Sequence, residues 1–329
     1  MAEPFADFPA IDLQRWRTGT PAERADVAAA VDHALRHTGF MLVVGHGISS
    51  ELPAEVRDRC GAFFHLDPAL KDQYRSVPGR PGWAPSGVEA NAYASGEASP
   101  PDLKETLAFA PPDPGLMMVS TDGPQEMANL YPAEVPGMAA AVDAYMRAGV
   151  ALATELMTLL EEAIGAQPGT FVDSCDRPVH SMNVTWYPAR AAIGEPAEGQ
   201  YRIGPHTDFG TITLLDRQPG VSGLQVLSAD GEWLDAPYLP GSLTINVGDL
   251  IARWSGGRWR SNLHRILAPS ADAPAEELIS LVLFMETNVG AMVGPLPPPV
   301  GGGDAGAAID AIEWVTQKMR DITVEATGA

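Results

Sequence analysis

The sequence predicts an α+β fold: a mostly helical front, a sandwich or jelly-roll of short strands, and a C-terminal helix. Two observations carry this. Up to about residue 165, apolar residues recur at helical spacing in segments with recognisable start and stop signals. After residue 179 the period changes, and short β-like runs follow one another closely, separated by turn residues. The 329 residues suffice for one large core, and 45% hydrophobic with 19% charged residues is ordinary for a globular chain.

The elements follow in order. Thr20-Pro21-Ala22-Glu23 is a capping box with proline at the first helical position. It predicts a helix to about Arg36, which Gly39 is placed to end. Phe40 to Val44 is a short buried strand that stops at Gly45-His46-Gly47. Ser50 is placed to cap a second helix running through Arg57 to Phe63-Phe64. Residues 78–101, rich in Pro, Gly, Ala and Ser, read as a long loop. From Val142 to Ile164 apolar residues keep helical spacing, and Gly165 closes the run. Strands are predicted at 180–187, 200–206, 211–215, 223–228, 232–236, 242–247, 263–268 and 278–287. Asp230-Gly231 is a hairpin signal between two of them. Residues 290–306 read as a mobile, Pro- and Gly-rich connection, and Ala307 to about Val324 as a helix packing on the body. The expected organisation is one compact unit: a helical region at 1–178, a core at 179–290, and a flexible linker with the last helix at 291–329.

Composition excludes several functions. With 21 basic against 42 acidic residues, the net charge of −21 repels polyanions, so no nucleic-acid partner is expected. No apolar run reaches the roughly 18–20 residues of a membrane span. The first residues lack the basic and apolar regions of a signal peptide, which points to a cytoplasmic protein. Cys60 and Cys175 stand far apart in no metal or redox spacing and read as buried thiols.

The chemistry concentrates around Gly204-Pro205-His206-Thr207-Asp208-Phe209-Gly210. On an extended chain His206 and Asp208 point to the same face. With His264, in Ser261-Asn262-Leu263-His264-Arg265, they make a candidate facial triad of two imidazoles and a carboxylate. Such a set leaves neighbouring positions open on an octahedral iron(II). A His-x-Asp pattern alone is weak evidence, and a distant histidine adds little without context.

The context is an ordered set of blocks. PHTDFGTITLL, GLQV, DGEW, PGSLTINVGDLIARWSGGRWRSNLHRI and a last strand ending in Phe284 resemble the isopenicillin N synthase-like branch of the iron(II)/2-oxoglutarate-dependent dioxygenases. FPAIDL, GFMLVVGHGI, Phe63-Phe64 and Asp102-Leu103-Lys104-Glu105 extend the resemblance over about residues 8–290. It implies a double-stranded β-helix (jelly-roll) core with His206, Asp208 and His264 as ligands of Fe(II). It further implies O2 and 2-oxoglutarate as co-substrates, succinate and carbon dioxide as co-products, and hydroxylation, desaturation or ring closure of a small-molecule substrate.

Two departures stand out. The family's R-x-S motif, which holds the distal carboxylate of 2-oxoglutarate, falls on Leu278-Ile279-Ser280: serine is kept and arginine is replaced by leucine. Leucine offers neither charge nor donor, and loss of a charged hydrogen bond costs on the order of a few kcal/mol unless replaced. The family's N-Y-Y-P motif appears as Thr185-Trp186-Tyr187-Pro188, which keeps Tyr187 as a donor to the co-substrate or to backbone. Three readings stay open: another cation anchors 2-oxoglutarate, the enzyme draws its electrons from the substrate as isopenicillin N synthase does, or it uses a less acidic 2-oxo acid. Arg202, expected on the face of 204, 206 and 208, is the first candidate anchor and Arg260 the second. A non-catalytic jelly-roll that binds a small molecule is the rival from another class, and the kept triad argues against it.

Other residues read as structural. His46 belongs to its glycine-flanked turn; His33, His37 and His65 read as solvated; His180 opens a core strand where it could face the pocket. Trp254 and Trp259 are expected to pack, and Asp249 of the N-x-G-D element to shape a turn or support the metal ligands. The loops at 78–101 and 290–306 are where substrate selection is expected to reside.

Overall fold

The computed structural model describes residues 7–77, 79–91, 99–221, 223–303 and 306–322. Its centre is an eight-stranded sheet in the order Ala10–Asp12, Phe40–Val44, Leu243–Val247, Ile212–Asp216, Leu278–Met285, His180–Tyr187, Glu105–Phe109, Gly82–Ala84. A four-stranded sheet in the order Trp233–Asp235, Leu224–Leu227, His264–Ile266, Ile203–His206 faces it. Both sheets line one cavity of about 260 Å³, which makes the core a jelly-roll.

Strand alternation explains how one sheet serves both the cavity and a helical layer. Along His180–Tyr187, Ser181, Asn183, Thr185 and Tyr187 line the cavity, whereas Met182 and Val184 join the apolar core. Along Leu278–Met285, Val282 and Phe284 face the cavity while Leu281, Leu283 and Met285 face the helices. Met138–Ile164 covers that outer face, and Gly149 lets the helix approach Leu283 closely. Truncating a buried leucine such as Leu156 would cost about 2–5 kcal/mol.

The sequence signals act as expected in most places. Thr20 and Glu23 form the reciprocal capping box of Pro21–His37, and Gly39 follows its end at φ +74°. Gly165 ends the long helix at φ +77°. The eight expected core strands all form, and the hairpin turning at Gly231 pairs Leu227 with Trp233. Cys60 and Cys175 are free and buried.

The structure also corrects details. Ser50 precedes Glu51–Phe64 but makes no side-chain cap hydrogen bond, because its backbone is already helical there. The expected loop at 78–101 contains the strand Gly82–Ala84, and Glu105–Phe109 beyond it pairs with His180–Tyr187. Both carry non-local pairing that composition does not reveal; residues 78 and 92–98 of this loop lie outside the described residues. The connection expected to be mobile is hydrogen-bonded to the turn after Asp249–Trp254: Leu296 donates to the Trp254 carbonyl and Gly302 to that of Ser255. Ala311–Ile322 then brings Val315 and Met319 to the cavity. Among the described residues no helix is long and apolar enough to cross a membrane.

Candidate metal centre

His206 and Asp208 enter the cavity from the end of Ile203–His206. The strand stops at His206, where the expected strand 200–206 also ends, so Asp208 stands in the following connection. Backbone bonds fix that connection. Asp249 donates its N–H to the Asp208 carbonyl (2.9 Å), Leu250 to that of Gly210 (3.1 Å) and Gly248 to that of Thr211 (2.9 Å). Contact is so close that a Cβ on Gly248 would lie 2.4 Å from the Gly210 oxygen and 2.8 Å from the Asp208 oxygen.

His264 arrives from the neighbouring strand as the Cα partner of His206. Candidate ligand atoms of His206, Asp208 and His264 all lie within 4.8 Å of one another. Both Nε2 atoms stand 3.9 Å from Asp208 Oδ1. The spare atoms have other partners. His206 Nδ1 is 2.8 Å from the Gly204 carbonyl and His264 Nδ1 3.1 Å from that of Asn262, which places the proton on Nδ1 and leaves Nε2 as a lone-pair donor. Asp208 Oδ2 accepts hydrogen bonds of 2.6 Å from Thr213 Oγ1 and Asn246 Nδ2, which leaves Oδ1 turned to the imidazoles. Phe40 packs edge-on against the His264 ring at 5.2 Å.

Electrostatics agree with a metal site. Burial, then the neighbouring His264, pushes His206 down to about 3, so its imidazole is neutral at neutral pH. Burial would raise Asp208, but the two imidazoles with Asn246 and Thr213 outweigh it and hold the carboxyl below its ordinary range. Two neutral nitrogens and one carboxylate on one side of a cavity are a donor set for a divalent transition metal with free positions.

Of the co-substrate candidates, Tyr187 lines the cavity, while Ser280 and Arg202 lie next to it and outside the lining. Tyr187 is buried on the wall, hydrogen-bonded to Ser280, and is the cross-strand partner of Leu278. Leu278 packs with Tyr187, Leu224 and Ile266, filling the place where an arginine was expected. Arg202 is corrected in position: it precedes the strand and does not line the cavity with the histidines. Its guanidinium lies 5.7 Å from the centre of the Tyr187 ring, almost completely buried. Glu276 is 3.8 Å away, and Nε and Nη2 have no partner among the described residues. Arg260 instead reaches the His37 carbonyl at an exposed site.

The other histidines have ordinary roles. His46 takes the Ile48 N–H on Nδ1 and faces the Gly241 carbonyl with Nε2, clipping two turns together. His33 and His37 lie against each other on the helix, and His65 meets Glu277 at the surface. His180 lines the cavity with Nδ1 tied to the Pro178 carbonyl. Trp254 and Trp259 pack on Phe171, and Asp249 is hydrogen-bonded to Ser261 and Thr207 beside the site.

Sequence reasoning missed Thr213, Asn246 and Glu286. Asn246 opens the N-x-G-D element, so a signal existed for it. Glu286 is a buried carboxyl on the cavity wall, pushed up to about 8 by burial and by Asp208.

Comparison with known proteins places this geometry among relatives. Residues 180–287 match the 2OG-Fe(II) oxygenase superfamily, and residues 8–136 the family described as non-haem dioxygenase in morphine synthesis, N-terminal. The chain is 38% identical over 322 residues to validamycin A dioxygenase of Streptomyces hygroscopicus subsp. limoneus, covering 97% of this chain and 88% of that one. It is 31% identical to a 2-oxoglutarate-dependent dioxygenase of Trichoderma harzianum, over 81% of this chain and 82% of the other. A full-length Neurospora crassa protein, solved in complex with alpha-KG and thymine, shares the fold with a TM-score of 0.80 at 24% identity, covering 95% of this chain and 96% of that one.

Proposed function

Because the chain belongs to the 2OG-Fe(II) oxygenase superfamily and is an iron- and 2-oxoglutarate-dependent oxidoreductase of small molecules, we propose that His206, Asp208 and His264 are its iron ligands and that the cavity they border receives the substrate. The observation that carries the assignment is the state of the spare atoms: both Nδ1 atoms and Asp208 Oδ2 are occupied by protein partners, so Nε2, Nε2 and Oδ1 remain for one ion. An apolar or purely structural site has no use for that division.

The chemistry supplied by bound iron(II) is the activation of dioxygen, coupled to decarboxylation of 2-oxoglutarate to succinate and carbon dioxide. The chain's own contribution is orientation and dryness. Carbonyls of Gly204 and Asn262 hold the imidazoles in one tautomer. Thr213 and Asn246 keep Asp208 from turning both oxygens to the metal. Phe40, Phe209 and Val315 line the cavity with apolar surface and limit water beside the reacting atoms. Tyr187 and Ser280 hold 2-oxoglutarate, and Arg202 stands in for the missing arginine, an assignment supported by its two unpartnered buried nitrogens next to Tyr187. A substrate of small-molecule size suits a cavity of about 260 Å³.

The deciding experiment is an anaerobic titration of the iron(II) protein with 2-oxoglutarate, followed by the metal-to-ligand charge-transfer band. A saturable band is expected in the wild type and its loss in His206→Ala and His264→Ala; a wild type without the band at millimolar 2-oxoglutarate sinks the reading.

A further inference from the structure

Glu286 is the anomaly of the cavity. It follows Leu278–Met285 on the face of Val282 and Phe284, and like them it lines the cavity. The residue is 8% exposed, yet no Lys or Arg is among the groups that act on it, and Oε2 is buried without a hydrogen-bond partner among the described residues. The support it does receive comes from the backbone N–H of Thr211. It is also outside the three-residue metal cluster. The other acid that lines the cavity beside a cation is matched: Glu89 pairs with the Lys104 ammonium at 2.5 Å.

Stability does not explain such a residue. A buried carboxylate without a cation costs several kcal/mol, and a buried carboxylic acid without an acceptor still forfeits a hydrogen bond. Glutamine would fill the same space without a charge. The position makes sense when a ligand supplies the missing partner, and the partner that best offsets a buried carboxylate is itself cationic and a donor.

We propose that Glu286 is a specificity-determining residue that binds a protonated nitrogen of the substrate, an amine or guanidinium. This deepens the oxygenase reading and rests on it. Glu286 lies against Gly210, where an added Cβ would come within 2.0 Å of Oε2, and Gly210 belongs to the connection that carries Asp208. A nitrogen held by Glu286 therefore sets the rest of the molecule beside the metal ligands. The apolar walls at Phe40, Phe209 and Phe284 cover its carbon body, and Ser181, Asn183 and Thr185 offer neutral hydrogen bonds along the adjacent strand. A neutral alcohol of the same shape offers a hydrogen bond but no counter-charge, so Glu286 favours the protonated nitrogen.

The test is calorimetric titration, under nitrogen, of the iron(II)–2-oxoglutarate protein with cyclohexylmethylamine, phenethylamine and agmatine, each against its matching alcohol. At least one amine is expected to bind about ten-fold or more tightly than its alcohol. In Glu286→Gln that preference disappears, while the 2-oxoglutarate affinity stays within about two-fold and the melting temperature equals or exceeds that of the wild type. Amines that bind no better than alcohols in the wild type overturn the proposal. So does a Glu286→Gln protein that keeps the preference, or a fall in melting temperature in both Glu286→Gln and Glu286→Leu, which marks a structural residue. Titrating 2-oxoglutarate alone into the iron(II) protein separates the two readings: its failure to bind strikes the oxygenase assignment, whereas absence of an amine preference with 2-oxoglutarate binding intact strikes Glu286.

Discussion

His206 and His264 are Cα partners across adjacent strands, and their ring centroids lie 4.2 Å apart. Two distant stretches of sequence are thus brought to one point by strand register, and the third ligand candidate, Asp208, is carried there by a connection clasped from behind. Register on a sheet is rigid, because a one-residue slip would turn a histidine to the other face. The connection depends on fewer bonds and is the softer part of the site.

Asn246 is the first place to test that. Its Nδ2 and the Thr213 hydroxyl share Asp208 Oδ2. In Asn246→Leu the carboxylate is expected to lose orientation, with iron(II) affinity falling about 10–100-fold. Metal titration followed by circular dichroism at both ends of the curve checks that the fold survives. An unchanged affinity would remove Asn246 from the site.

Gly248→Ala acts on the same connection through the backbone. The added methyl would meet the carbonyl oxygens of Gly210 and Asp208 at 2.4 and 2.8 Å, and neither is a flexible side chain that can step aside. The segment must shift by some tenths of an ångström, displacing Asp208 from the two imidazoles. The expected outcome is weaker iron binding, with a loss of about 1–3 kcal/mol of stability in denaturant melts.

What could be read from the chain divides along the range of the interactions involved. The capping box of Thr20 and Glu23, and the stop at Gly165, are local, and both form as the sequence indicates. The row Ser181, Asn183, Thr185, Tyr187 alternates with Met182 and Val184, so a polar inner face was legible too. Glu105–Phe109 was not, because its strand character comes from pairing with His180–Tyr187 and not from its own composition. Arg202 stands just before the strand, which begins at Ile203, so alternation counted back from His206 does not fix where its side chain goes; its place beside Tyr187 comes from packing. Glu286 could not be singled out at all, since its lack of a partner is a property of everything packed around it.

Glu286 also gives the metal-free protein a pH signature. Its folded value is raised to about 8 from an ordinary 4.5, so between those limits the folded state holds a proton that the unfolded chain has lost. Its contribution to stability therefore falls as pH rises through that window, by on the order of a few kcal/mol in all. His206 works in the opposite sense at lower pH: lowered to about 3 from 6.5, it removes stability as pH falls through that range. Denaturant melts of wild type and Glu286→Gln at a series of pH values isolate the first effect. The difference between them is expected to grow in favour of the variant from about pH 5 to 8; a constant difference would contradict the raised value.

The exchange at position 278 makes the last prediction. Tyr187 is the cross-strand partner of Leu278 and also lies under the guanidinium of Arg202, so an arginine at 278 and the arginine at 202 approach the same end of the cavity from opposite sheets. If Arg202 anchors the distal carboxylate of 2-oxoglutarate, its removal should weaken 2-oxoglutarate binding about 10–100-fold, the value of one charged hydrogen-bonding partner. Removing it alone would leave the half-buried Glu276 without its cation, so the informative variant is Arg202→Leu with Glu276→Gln. Adding Leu278→Arg to that background restores a guanidinium beside Tyr187 and Ser280, and recovery of the 2-oxoglutarate charge-transfer titration is expected. Binding that is untouched by the first pair of changes would show that the anchor is elsewhere in the cavity, with the Lys104 ammonium on its wall the next group to change.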